Sequence, residues 1–151
     1  MNAFKFPLQR VLEWRRTQLE MEEVRFRQQS AALAELDRIS TEWRSAGHSA
    51  EREVRSWNPV AGRELAALGS FRLHAKLKET ELAIPRAECR KELSLREAVM
   101  LEARRRLRLL ERLRERRLIE WTTARDKELE ELASESYLGK WKRREHADGP
   151  L

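Results

Sequence analysis

Very little in this sequence can break a helix or staple a loop. Its 151 residues include one cysteine, four prolines and five glycines. The lone thiol, Cys89, allows neither an internal disulfide nor a thiolate cage around a metal, and it suits a reducing compartment. Aromatic residues make up 7% of the chain, and together with the shortage of glycine and proline this matches long helices and coiled coils better than a compact domain. No run of eighteen apolar residues occurs, so no membrane-spanning helix is predicted. The start, MNAFKFPLQR, lacks an apolar stretch followed by a small-residue cleavage site, and no secretion signal is expected. His48, His74 and His146 are too far apart in sequence to read as a zinc motif, although His48 and His74 could meet across a hairpin tip, and no metal is expected. There is no phosphate-cradling glycine loop and no nucleophile elbow, and glutamates pair only as helix-face repeats. The expectation is a protein without catalytic activity or cofactor.

What is abundant is charge. Lys and Arg number 32 against 26 Asp and Glu, a net charge of +6. Eight arginines lie from Arg104 to Arg117, with Glu111 and Glu115 as the only acids among them, so this stretch carries a charge equal to the net charge of the chain. Leu107, Leu110, Leu113 and Leu118 run through the same segment at three- to five-residue steps. That combination predicts a helix with one apolar seam and a cationic back.

In chain order, Pro7 suits a first helical turn, and Leu8, Val11 and Leu12 open an apolar face. Sevens from Leu12 give Leu19, Phe26, Leu33, Ser40, Gly47 and Val54. The companion row of Leu8, Arg15, Glu22, Gln29, Leu36, Trp43, Ala50 and Trp57 is polar in its middle. This is an imperfect heptad seam, predicting a helix over 8–56 that needs a partner to be stable. Asn58-Pro59, Gly62 and Gly69 mark a reversal over 57–69, with Ser70 as cap of the next helix. That helix is predicted over 70–138, bent near Pro85 by the lost amide and the ring clash. A frayed tail is expected over 139–151. The architecture is therefore all-α, a single long antiparallel two-helix coiled-coil hairpin. A fold-back about residue 63 puts Leu8 opposite roughly residue 118. It sets the arginines against Glu13, Glu20, Glu22 and Glu23, and leaves Trp121, Ala124, Leu129, Leu132 and Tyr137 on an overhang with no partner in the first helix.

The segments FKFPLQRVLEWRR and RLLERLRERRLIEW…DKELEELASESY resemble the FliJ family of flagellar type III export, which is related to stalk proteins of virulence-type secretion systems. The resemblance covers most of the chain through heptad-like motifs. It implies an antiparallel coiled coil similar to the central stalk of rotary ATPases. The paired chain ends would enter a hexameric export ATPase, the tip would meet the membrane-embedded export gate, and the protein would also handle export chaperones. It would work in the cytoplasm, peripherally associated with the membrane at the flagellar basal body. Pro85 and the density of arginine depart from the family pattern.

On that reading, Leu8, Leu12, Arg108, Arg112, Arg116 and Trp121 are candidate ATPase contacts, the three arginines standing four apart on one face. Trp43, Trp57 and Phe71 are candidate export-gate contacts. Each has a plainer alternative. Glu111 with Arg114, Arg112 with Glu115 and Arg116 with Glu120 have the spacing of local salt bridges. Trp57 is read first as packing that closes the hairpin, while Trp43 and Phe71 could offer exposed anchors. Cys89 reads as a small interior residue. Two other classes compete: a basic nucleic-acid binder, supported by the arginines but opposed by the interleaved acids, and a homodimeric coiled-coil scaffold.

Overall fold

The structure, a computed structural model, describes residues 3–147. Among them are two α-helices and no strand: α1, Gln9–Ser56, and α2, Gly62–Ala147. They pack against each other as an antiparallel helical hairpin, with Glu23 on α1 facing Arg104 on α2 and Arg44 facing Glu79. By internal packing the chain divides into two compact units, Thr17–Arg104 and the pair of segments Met1–Arg16 and Arg105–Leu151.

Within the first unit, the row in sevens is the one that turns inward. Ser40 and Val54 are buried, and Leu19, Phe26, Leu33 and Gly47 are half-buried. The facing row on α2 holds buried Ala75, Cys89 and Met100. Gly47 stands opposite Ala75, where an added Cβ would make an ordinary contact of 4.0 Å with the Ala75 Cβ. The polar members of the companion row are also drawn in, each with a partner. Gln29 Nε2 donates to the carbonyl oxygen and the Sγ of Cys89 at 3.4 and 3.2 Å, and Glu22, which is buried, accepts from Arg25 Nη1 at 2.7 Å. Cys89 is thus an interior residue, as its isolation in the sequence suggests. Arg86 reaches from α2 to Asp37 and to the buried Ser40 hydroxyl, one residue beyond Pro85. The helical residues run through Pro85 without a gap.

Two boundaries differ from the sequence expectation. The connection is confined to residues 57–61, and α2 begins at Gly62, not at residue 70. Glu64 is the cause: its carboxylate accepts the Ala61 amide at 3.0 Å, while the Ala61 carbonyl accepts the Glu64 and Leu65 amides. This reach-back satisfies otherwise orphaned groups at the start of the helix. Gly69 then lies inside α2, where glycine costs about 1 kcal/mol relative to alanine. At the other end, α2 continues to Ala147, so residues 139–147 are helical, not frayed; positions 148–151 of the expected tail lie outside the described residues. Arg143 Nε donates to the Gly139 carbonyl at 3.1 Å, and Arg144 and His146 sit in the last turn, where cationic groups oppose the negative end of the helix dipole.

Candidate functional site

The unit built from the chain ends is held by Leu12, which is 0% exposed, together with buried Phe6 and Leu107. Ahead of α1, the Phe4 ring lies 6.0 Å from Trp121 at 56°, and the guanidinium of Arg114 stands 6.0 Å over the same Phe4 ring. Arg114 is half-buried, with its Nε enclosed and unpartnered. These N-terminal residues also border a concavity of about 620 Å³ with Lys5, Arg10 and Glu13. Phe4 and Phe6 had no signal in the sequence beyond their hydrophobicity, because they precede the first periodic residue.

Leu12 therefore serves helix pairing and offers nothing to a partner, whereas Leu8 is exposed. Trp121 corrects the expected overhang. It is half-buried, taken up by Phe4 on one side and by the Arg125 guanidinium, 5.2 Å from its ring, on the other. The unaccompanied part of α2 begins after Arg125. From residue 126 to 147 every residue except Gly139 is exposed, including Leu129, Leu132 and Tyr137.

The arginine stretch splits into two populations. Some members are spent on structure: Arg104 pairs with Glu23 at 3.3 Å and Arg117 with Glu120 at 3.3 Å. Glu111 faces Arg16 across the helices at 3.6 Å. The local pairs of Glu111 with Arg114 and Arg116 with Glu120 do not form, since those acids have other partners. Among the described residues, Arg108, Arg112 and Arg116 make no hydrogen bond or ion pair, and all three are exposed. Leu109, 58% exposed, and Ile119, 64% exposed, lie three residues from Arg112 and Arg116 on the same side of α2. The result is a face of unpaired guanidiniums interspersed with aliphatic side chains. Such a face can take carboxylates in a bidentate fork while covering apolar surface.

Near the connection the aromatic residues exchange their expected places. Trp57 is 40% exposed. Trp43 is half-buried and meets His74 edge-on, with ring centroids 5.4 Å apart at 80°, and Phe71 is half-buried. Trp43 lies in the companion heptad row, whose middle members all turn toward α2 whatever their polarity. His74 is thus engaged with Trp43, and His146 meets the Lys142 carbonyl at 3.1 Å. No cluster of His, Cys, Asp and Glu able to hold a metal occurs among the described residues.

On the outer face of α1, Arg38 bonds Glu35 at 2.6 and 2.9 Å and also Glu42. The hydrogen bond from Arg38 holds the Glu35 carboxyl below its ordinary range. Because its pKa is depressed in the folded chain, Glu35 favours folding above its unfolded value and loses that contribution as acid protonates it. The group is exposed to solvent, so the effect is screened by salt.

No helix among the described residues is long and apolar enough to cross a membrane. No family model, curated protein or solved structure matches this chain.

Proposed function

We propose that the protein is a non-catalytic component of a flagellar type III export apparatus, a central-stalk-like coiled coil that binds the hexameric export ATPase through its chain ends. The observation that carries this reading is the exposed, unpaired row of Arg108, Arg112 and Arg116 on the unit that contains both ends of the hairpin. Three cations held outward at four-residue steps on a rigid helix suit acidic loops lining a ring. An asymmetric helix pair inside six equivalent subunits contacts them unequally and so biases their nucleotide states. Trp57, the exposed aromatic of the connection, is the anchor offered to the export gate, with Trp43 and Phe71 supporting the surface around it. The protein then works in the cytoplasm against the membrane-bound gate and passes export chaperones toward it.

The test is binding to the purified export ATPase of the same cell, with ATP turnover as second readout. Reversal of all three arginines to glutamate lowers affinity by at least about a hundredfold, as loss of several charge-assisted contacts predicts. Unchanged binding and unchanged stimulation by the triple variant remove the reading. Nucleic-acid binding is the second reading that the same arginines suggest. It predicts a gel shift at physiological ionic strength that weakens steeply with added salt.

A further inference from the structure

Arg114 carries a charge that the chain itself leaves unanswered. It is half-buried, its Nε is enclosed without a hydrogen-bond partner, and its guanidinium faces the Phe4 ring at 6.0 Å in place of a carboxylate. A cation drawn partly out of water is costly unless an anion stands against it. Arg114 lies two residues from both Arg112 and Arg116, which sets it on another side of α2 from that outward row.

Two further cations share the concavity of about 620 Å³ that Arg114 lines, within the unit of the chain ends. Lys5 and Arg10 are exposed and, among the described residues, neither makes a hydrogen bond or an ion pair. The acid on the lining, Glu13, is engaged by Gln9, whose Nε2 donates to its carboxylate at 3.1 Å. The lining thus sets three positive charges against one negative, a surplus of two. The first turn of α1 contains no acidic residue, so the positive end of its helix dipole adds to that surplus. Phe4 and Pro7 give the same hollow an apolar wall.

We propose that this concavity binds an acidic peptide segment, in which two glutamate or aspartate side chains pair with Arg114, Arg10 and Lys5 while an intervening aliphatic side chain covers Phe4 and Pro7. Two carboxylates balance the surplus of two. A phosphate dianion is small beside this volume, sets its concentrated charge near Glu13 and leaves the apolar wall bare. A nucleic-acid strand needs cations along an extended track, whereas these line a bounded hollow of the size that encloses a short ligand. Arg114, held by its surroundings, orients one carboxylate through its planar fork, and the exposed Lys5 and Arg10 supply attraction at the rim. The site does not rest on the export reading and stands if that reading fails.

The test titrates the isotope-labelled full-length chain with an acetylated, amidated glutamate-leucine-glutamate peptide and follows the backbone amides by NMR. Saturable shifts gather at Phe4, Lys5, Arg10 and Arg114, with a dissociation constant below about 1 mM. The same peptide with glutamine for glutamate binds at least about tenfold more weakly, and so does inorganic phosphate, which lacks the apolar contact. Arg114→Gln weakens the peptide by about tenfold. Lys5→Glu and Arg10→Glu, at exposed positions that leave the fold intact, each weaken it by at least about threefold. Absence of saturable binding overturns the proposal. So does a glutamine peptide or phosphate that binds as tightly, or affinity indifferent to both rim reversals. No ATPase is present in the assay, so its failure leaves the export reading standing.

Discussion

Arg86 grips Asp37 across the two helices through Nε at 2.7 Å and Nη2 at 2.6 Å, both on the same carboxylate oxygen. A third donor, Nη1, reaches the Ser40 hydroxyl at 3.3 Å. The pair sits beside Pro85, where α2 has lost one backbone donor, so this cross-link joins the two helices next to that missing bond. Asp37→Ala leaves a half-buried guanidinium without its anion and destabilises the hairpin by about 1–2 kcal/mol in urea unfolding. Arg86→Ala in the same background adds little further. That non-additivity in a double-mutant cycle is the signature of one shared contact.

Leu12 is the most completely buried large side chain of the described residues. Leu12→Ala opens a cavity between the chain ends and costs about 3 kcal/mol. Leu8→Ala, four residues earlier on an exposed position, costs under about 1 kcal/mol. Equal losses at the two positions in thermal unfolding would refute the assignment of Leu12 to the interior.

Glu64 fixes where α2 starts. Glu64→Ala removes the carboxylate that accepts the Ala61 amide, at a cost of about 0.5–1 kcal/mol. Amide exchange then speeds up over the first turns of α2 and not in its middle. A variant whose exchange is unchanged at Leu65 to Leu68 contradicts this origin of the helix.

Trp57 stands on the connection, outside both helices and exposed. Trp57→Ala costs under about 1 kcal/mol and, on the proposed export role, lowers affinity for the export gate. Trp43→Ala, which breaks the edge-on contact with His74, costs about 1–2 kcal/mol. The opposite ranking in stability would restore Trp57 to the interior.

The helix pairing was readable because a seven-residue row leaves its mark whether or not each member is apolar. Ser40 is the weakest member of the row by composition, and it is buried alongside Val54. The antiparallel register was readable too, since two helices rise equally per residue and Arg16 meets Glu111 where a fold-back near residue 63 sets it. What escaped were contacts decided by side-chain reach. Glu64 caps backward from inside the presumed turn, a bond that competes silently with the more conspicuous Ser70. Phe4 reaches Trp121 from outside any helix. Glu111 and Glu120 each had more than one arginine within range, and spacing alone does not say which one wins. The four-residue spacing of Arg108, Arg112 and Arg116 is visible in the sequence, whereas their lack of an internal partner depends on where each nearby acid sits.

The proposed role is that of a single helix pair working asymmetrically inside a six-fold ring, and stoichiometry tests it most directly. Native mass spectrometry of the purified chain with the hexameric export ATPase should show one chain per hexamer, because one occupant excludes a second from the same central hole. The Arg108, Arg112 and Arg116 charge reversal should abolish that species. Six chains per hexamer, or no complex at all, would contradict the account.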